Sequence, residues 1–269
     1  MERTQLINKF SSNNEHKILL SHIFDLAQRR DGRNILTVSN FMSETECNIV
    51  DSFLKAISCK NYMLYGGYNE SERRFCIFLP DYYTENDIIS TPTIADINYI
   101  TLKVNKFEAS KADISHRDVL GSLMGLGIER DSIGDIIAQG DSAVFVVKSA
   151  LSEFIKDNFI KVSRYCVDIE VLDSYEIKPR LDYETGYDTV ASMRLDAVAS
   201  SIFKLSRSSA SEYICAGLVF VNGNVCAKPD HILKEKDKLS LRGKGKAVID
   251  RLDGTSKKGR IRFVYLKYK

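Results

Sequence analysis

Apolar positions recur at helical spacing over Lys17–Arg30, where Ile18, Leu19, Ile23, Leu26 and Ala27 fall on one stripe. A short apolar run, Ile35 to Val38, predicts a strand. Ser43-x-x-Glu46 is a capping box that opens a helix through Ile49, Val50, Phe53 and Leu54. Tyr62–Tyr65 and Phe75–Leu79 have the pattern of paired strands joined by a turn with Gly66, Gly67 and Asn69. Pro80 and the polar run Thr84–Asp87 close this stretch, so residues 1–90 are expected to form a mixed α/β unit.

A second pattern occupies residues 95–175. Tyr99–Val104 predicts a strand, and Ser115-x-x-Asp118 caps a helix carrying Val119, Leu120, Leu123 and Met124, which Gly125 and Gly127 terminate. Ile133–Ala138 and Ala143–Val147 form a hairpin pattern across Gly140-Asp141. Ser149–Phe159 is helical in pattern, and Arg164–Val171 is a last strand. The order β-α-β-β-α-β is that of a ferredoxin-like domain, which places the chain in the α+β class. Pro179 to Val190 is polar and broken by Gly186, so a linker is expected there.

Residues 191–269 then predict a third domain. Arg194–Phe203 is one helix with Leu195, Val198, Ala199 and Ile202 on a single face. Ser208 is the expected N-cap of a second helix that ends at Gly217. Val219–Val221 and Val225–Ala227 flank Asn222-Gly223-Asn224, a hairpin signal, and Leu239–Leu241 and Ile261–Tyr268 supply further strands.

At 269 residues, several small domains are expected rather than one core. No apolar run approaches the ~18 residues of a membrane span. Met1–Gln5 lacks the charged-then-apolar layout of a secretory signal. A cytoplasmic protein without a membrane partner is expected. The six cysteines are scattered, with no Cys-x-x-Cys pair and no His at ligand spacing, which argues for free thiols and against a zinc site or disulfide framework.

The net charge of +2 conceals an asymmetry. Residues 193–269 hold 17 Lys+Arg and 7 Asp+Glu, a net +10, and the preceding residues hold 21 and 29, a net −8. A basic third on an acidic body is the footprint of a polyanion-binding module, and RNA is the first hypothesis. The leading N–H groups of the second C-terminal helix lack intrahelical partners and favour an anion. Arg207 sits at that end, Ser208 and Ser211 add hydroxyls, and Lys204 ends the preceding helix. The competing arrangement has Ser208 as a simple cap and Arg207 paired with Asp196 or Glu212. Arg242-Gly243-Lys244-Gly245-Lys246 and Lys257-Lys258-Gly259-Arg260-x-Arg262 are either solvated hairpin faces or secondary phosphate contacts. Tyr213, Phe220 and Tyr265 are candidates for base stacking, with core packing the better expectation for Phe220.

With these residues in view, positions 193 to about 246 resemble the RNA-binding domain first named for small-subunit ribosomal protein S-four. The match rests on Arg194-Leu195-Asp196, Ser206-Arg207-Ser208 and Gly217-Leu218-Val219-Phe220-Val221-Asn222-Gly223. The resemblance implies an RNA-facing surface of Arg194, Asp196, Arg207, Ser208, Asn222 and Gly223. Lys204, Ser211, Lys228, Arg242, Lys244 and Lys246 complete the candidate set.

Over nearly the whole chain, Tyr65-Gly66-Gly67-Tyr68-x-x-Ser71-Glu72-Arg73-Arg74, the run His116-Arg117-Asp118-Val119-Leu120-Gly121 to Ile133-Gly134-Asp135, and Lys257–Arg260 resemble the YlmH family of bacterial proteins. The family implies a non-enzymatic RNA-binding protein without cofactor. It also implies association with the large ribosomal subunit, its rRNA and peptidyl-tRNA, in rescue of stalled nascent chains. The family has carried a cell-division label as well. Ser71 stands where the family pattern leads one to expect Ala.

Catalytic readings are weaker. His116 and Asp118 do not face each other on a helix, and Asp118 is explained as the capping partner of Ser115. Arg117 and Arg130 are RNA contacts or internal pairs, the internal role being favoured. Pseudouridine synthases carry an Arg-Leu-Asp of their own, and this chain has further copies at Arg180-Leu181-Asp182 and Arg251-Leu252-Asp253. The first falls in the expected linker, and too little chain follows the second for a catalytic domain. Gly254 to Arg260 lacks the Lys-Ser/Thr of a Walker A loop, and neither Gly-x-Ser-x-Gly nor a strand-borne Gly-x-Gly-x-x-Gly occurs. An RNA-modifying enzyme and a protein-interaction adaptor stand as the alternatives.

Overall fold

Reciprocal caps fix where the first unit's helices begin. Ser43, Thr84 and Ser115 each accept a hydrogen bond from the backbone N–H three residues on, while Glu46, Asp87 and Asp118 reach back to the cap's own N–H. The computed structural model describes residues 3–177 and 183–268, which form two compact units. The first begins with α1 (Arg3–Phe10), α2 (Asn14–Arg33), β1 (Thr37–Val38), α3 (Glu44–Ala56), β2 (Tyr62–Tyr65), β3 (Phe75–Phe78) and α4 (Glu85–Ser90). It continues with β4 (Ile97–Val104), α5 (His116–Gly125), β5 (Ile133–Gln139), β6 (Ser142–Lys148), α6 (Ser152–Asn158), β7 (Lys161–Val162) and β8 (Tyr165–Leu172).

A three-stranded antiparallel sheet has the order β1-β3-β2, and a five-stranded antiparallel sheet has the order β5-β6-β4-β8-β7. Without the short β7, the second is the ferredoxin-like arrangement. Val119 and Leu123 of α5 and Ile155 of α6 pack with Ile100 and Phe145 of its strands.

The sequence separates residues 1–90 from 95–175, but the structure joins them through a common core. Every residue of β3 is buried. Cys76 and Phe78 face the cluster made with α2 and α3, while Phe75 and Ile77 face one shared with Ile97, Tyr99 and Val146. A strand apolar on both faces has to be covered on both, and here the second cover is the larger sheet. Tyr99 donates its hydroxyl proton to the Gly67 carbonyl at 2.5 Å across this junction.

The second unit comprises β9 (Tyr183–Val190), α7 (Leu195–Ile202), α8 (Arg207–Cys215), β10 (Val219–Val221), β11 (Asn224–Val225), β12 (Lys238–Leu241), β13 (Gly245–Thr255) and β14 (Ile261–Tyr268). Its six-stranded sheet has the order β11-β10-β12-β13-β14-β9. Both helices pack on one face through Leu195, Val198, Ile202, Ala210 and Ile214 against Val219, Leu239, Ala247 and Phe263.

Residues 183–190 are therefore not a linker. They pair over their whole length with β14, and the Gly186 that looks like a breaker is required by close packing. A Cβ added there would lie 2.1 Å from the Tyr265 ring. The rest of the expected linker, residues 179–182, lies outside the described residues. The Gly/Lys run at 242–246 is likewise the turn into an eleven-residue strand, β13, that periodicity alone does not announce.

Gly186→Ala is expected to lower stability by about 1–3 kcal/mol through this overlap, measured by urea unfolding. The loss should shrink when Tyr265→Ala is added. A full-sized loss in that double variant would contradict this role for the Tyr265 ring.

Candidate nucleic-acid interface

The start of α7 sets the geometry. Its apolar face anchors it to the core, while its first two N–H groups are already used: Leu195 N–H donates to the His231 carbonyl at 2.8 Å and Asp196 N–H to that of Pro229 at 3.0 Å. This helix end offers no free cradle for an anion. Instead it buries the Asp196 side chain, which is 7 % exposed, between two guanidiniums. Arg194 donates from Nε and Nη2 at 3.2 and 3.3 Å, and Arg207 does the same at 3.0 and 3.3 Å.

Burial alone would push the Asp196 carboxyl up. The hydrogen bonds from Arg194 and Arg207 outweigh it and hold the group below the ordinary carboxylate value. Asp196 is thus not RNA-facing as the resemblance implies; it is the internal anchor that orients two arginines. Arg207 is paired to it, as the competing sequence reading allows, yet its side chain stays 59 % exposed. Each guanidinium spends two of its five N–H groups on Asp196, so donors remain on both. Two cations on one carboxylate leave the cluster positive.

The N-cap of α8 is Ser206 rather than Ser208. The Ser206 hydroxyl accepts from Ser209 N–H at 3.0 Å, and Ser208, inside the first turn, lies 2.9 Å from it. Lys204 in the left-handed conformation (φ 53°) turns the chain so that Ser206 meets the helix in the extended geometry a cap needs. The amides of Arg207 and Ser208 make no hydrogen bond among the described residues and carry the positive end of the helix dipole. Beside them lies a cleft of about 330 Å³ bordered by Ser200, Ser201, Asp188, Arg207 and Arg260. Arg260 donates to the Thr189 carbonyl at 2.6 Å and its hydroxyl at 3.2 Å. The sequence marks Arg260 only as part of a basic run, because its position next to Arg207 depends on β9 being a strand.

The other candidates divide. Asn222 (φ 50°) and Gly223 (φ 77°) form the tight turn of the expected hairpin, with Asn224 already in β11. The Asn222 amide, however, donates to Asp237 and accepts from Lys238 N–H, both at 2.8 Å, so the side chain holds the turn rather than presenting itself to a ligand. Arg242 and Lys244 are exposed at the β12–β13 turn, Lys228 is exposed before Pro229, and Ser211 is half-buried on α8. Lys246 alternates with Ala247, which faces the core, and so belongs to the opposite side of the sheet from the helices. The structure brings together Arg194, Lys204, Arg207 and Ser208; it does not join them to Lys246 in one face. Tyr213 and Tyr265 pack against the core, whereas Phe220, expected there, does not.

In the first unit, Asp118 serves its capping box, whose hydrogen bonds from Ser115 lower its pKa. His116 is held below the ordinary imidazole value by desolvation and then by Arg130. Arg130 donates to the carbonyls of Ile133 and Gly134 at 2.6 and 3.0 Å, an internal role. Asp135 accepts from the Tyr68 hydroxyl, Glu72 N–H and Arg73 N–H at 2.7, 2.7 and 3.0 Å, tying together the two motifs singled out above. Of the extra Arg-Leu-Asp copies, residues 180–182 lie outside the described residues, and Asp253 is exposed and ion-paired with Arg251 at 3.1 Å. All six cysteines are free thiols, and among the described residues no cluster of His, Cys, Asp and Glu suits a metal. No helix of the described residues is long and apolar enough to cross a membrane.

Both units have counterparts among known proteins. Residues 92–176 match a family model described as a putative RNA-binding domain in YlmH, and residues 193–239 match the S4 domain. Ribosome-associated protein quality control protein P2 of Bacillus subtilis (strain 168) is 31% identical over 205 residues, covering 76% of this chain and 77% of that protein. The structure of cell division protein ylmH from Streptococcus pneumoniae is similar with a TM-score of 0.46 at 17% identity, covering 60% of this chain and 93% of that one. Strands β9, β13 and β14, and with them Arg260, lie outside the S4 match.

Because its folded-state pKa is depressed, ionised Asp196 contributes stability above the unfolded carboxylate value of about 3.9, and that contribution is lost as pH falls through the lower folded value. Asp196→Asn should therefore be less stable than the parent at neutral pH, with the two melting temperatures converging in acid. A gap that stays constant down to low pH would show that the carboxylate charge contributes nothing.

Proposed function

Since the chain belongs to the YlmH family of RNA-binding proteins, we propose that it is a non-enzymatic RNA-binding protein that acts on the ribosome in the cytoplasm. On this reading it contacts large-subunit rRNA and tRNA during rescue of stalled nascent chains. The observation that carries the proposal is the pair of guanidiniums held on Asp196 beside the open amides of α8. A phosphate placed there meets charge-assisted donors already fixed in direction, so little side-chain entropy is lost on binding. The +10 charge of residues 193–269 supplies the longer-range attraction. The 31% identity to a protein named for ribosome-associated quality control supports the ribosomal setting.

The test is co-sedimentation with large ribosomal subunits across a salt series, followed by crosslinking to identify the RNA. Arg207→Ala is expected to weaken RNA binding about 10- to 100-fold. It should also flatten the salt dependence by about 0.7 for each phosphate of an unpaired strand that the arginine neutralises. An unchanged affinity and slope would place the interface elsewhere. Base composition of the RNA after incubation should be unaltered; a modified base would return the chain to the enzymes.

A further inference from the structure

Both helices of the second unit lie on one face of its sheet, and the strand register reveals what occupies the other. Leu239, Ala247 and Ile249 point into the core, so their alternates point away. Val225 pairs with Phe220, Phe220 with Ser240, and Ser240 with Lys246. The row continues to Tyr268 and its partner Tyr183, whose rings meet edge to face at 5.0 Å. Tyr187 and Arg262 lie on the same face, opposite Val264 and Thr189.

Neither Phe220 nor Tyr187 belongs to a buried cluster of this unit, and Tyr187 is 70% exposed. The Arg262 side chain is exposed and makes no hydrogen bond or ion pair among the described residues. Val264 between them is buried, so the face is open at Val225, Tyr187 and Arg262 and half-buried at Phe220. Its aromatic rings between cations offer stacking planes for bases and charge for a phosphate backbone. The row from Phe220 to Tyr183 crosses four strand spacings, about 19 Å, enough for several nucleotides. A duplex keeps its base faces stacked internally, so an unpaired strand is the form whose bases this surface can use. The net charge of +10 over residues 193–269 favours such a polyanion over an apolar partner.

We propose that this sheet face, with Phe220, Tyr187 and Arg262, is a second RNA-contacting surface that takes single-stranded RNA, distinct from the arginine pair on α7 and α8. The proposal rests on the RNA-binding reading above, but its residues lie on the opposite side of the sheet.

The experiment is fluorescence anisotropy of a labelled oligouridine titrated with the full chain, with folded ribosomal RNA titrated in parallel. Tyr187→Ala and Phe220→Ala should each lower oligouridine affinity between about 5-fold and about 100-fold with little change in salt slope. Tyr187→Phe keeps the ring and should restore binding. Arg262→Ala should instead reduce the slope by about 0.7. Photocrosslinks from uridine should fall on β9 and β10. Tyr187 is exposed at the sheet edge, so its truncation leaves the fold intact and remains informative if Phe220→Ala is unstable.

Oligouridine affinity that is absent or unmoved by Tyr187→Ala overturns the proposal. If folded RNA still binds in an Arg207-dependent manner, the proposed function survives that failure; if neither RNA binds, both fall. Loss of a protein partner in Tyr187→Ala, without any effect on RNA, also overturns it.

Discussion

Asp196 is a carboxylate withdrawn from water, and the pair of helices that follows it is organised by what keeps it charged there. Its apolar neighbours Leu195 and Val198 pull the start of α7 into the core, which would expel an unpaired anion. Arg194 from its own turn and Arg207 from the next helix make burial tolerable. The same contacts fix α8 relative to α7 and hold two guanidiniums in defined orientations. Structure and candidate function thus share one ion cluster: the carboxylate gains its partners, and the arginines gain direction without losing access to solvent.

The first unit depends on a comparable sharing of contacts around β3. Its four residues face two cores in alternation, so the small sheet and the ferredoxin-like sheet cannot be packed independently. Phe41 stacks on Phe75 at 3.7 Å within this shared layer. Close approach is enforced by Gly134, where a Cβ would lie 2.8 Å from the Phe41 ring. Asp135 then ties the loop after Gly67 to the start of β5.

Local signals in the sequence were the legible ones. The capping boxes at Ser43 and Ser115, the Asn222-Gly223 turn and the βαββαβ order depend on residues close in the chain, and each is found in the structure. The misread segments depend on distant partners. Gly186 looks like a breaker until Tyr265 is seen across from it, and Ser208 looks like a cap until the left-handed turn at Lys204 gives that place to Ser206, two residues earlier. At the candidate site, residue types were legible but roles were not. Asp196 and Asn222 carry the right chemistry for a ligand and spend it internally, while Phe220 faces outward because strand alternation, not hydrophobicity, decides its side.

The pairing of β9 with β14 has a kinetic corollary. The strand that enters the second unit and the strand that leaves it are neighbours for eight residues, although some seventy positions of chain lie between them. A ribosome synthesising this protein releases β9 long before its mate exists. The sheet's edge therefore closes last, after the final strand has cleared the exit tunnel, whereas α7, α8 and the hairpin between β10 and β11 can assemble from local contacts beforehand. Without β14, β9 would be a long, unpaired strand available to other chains.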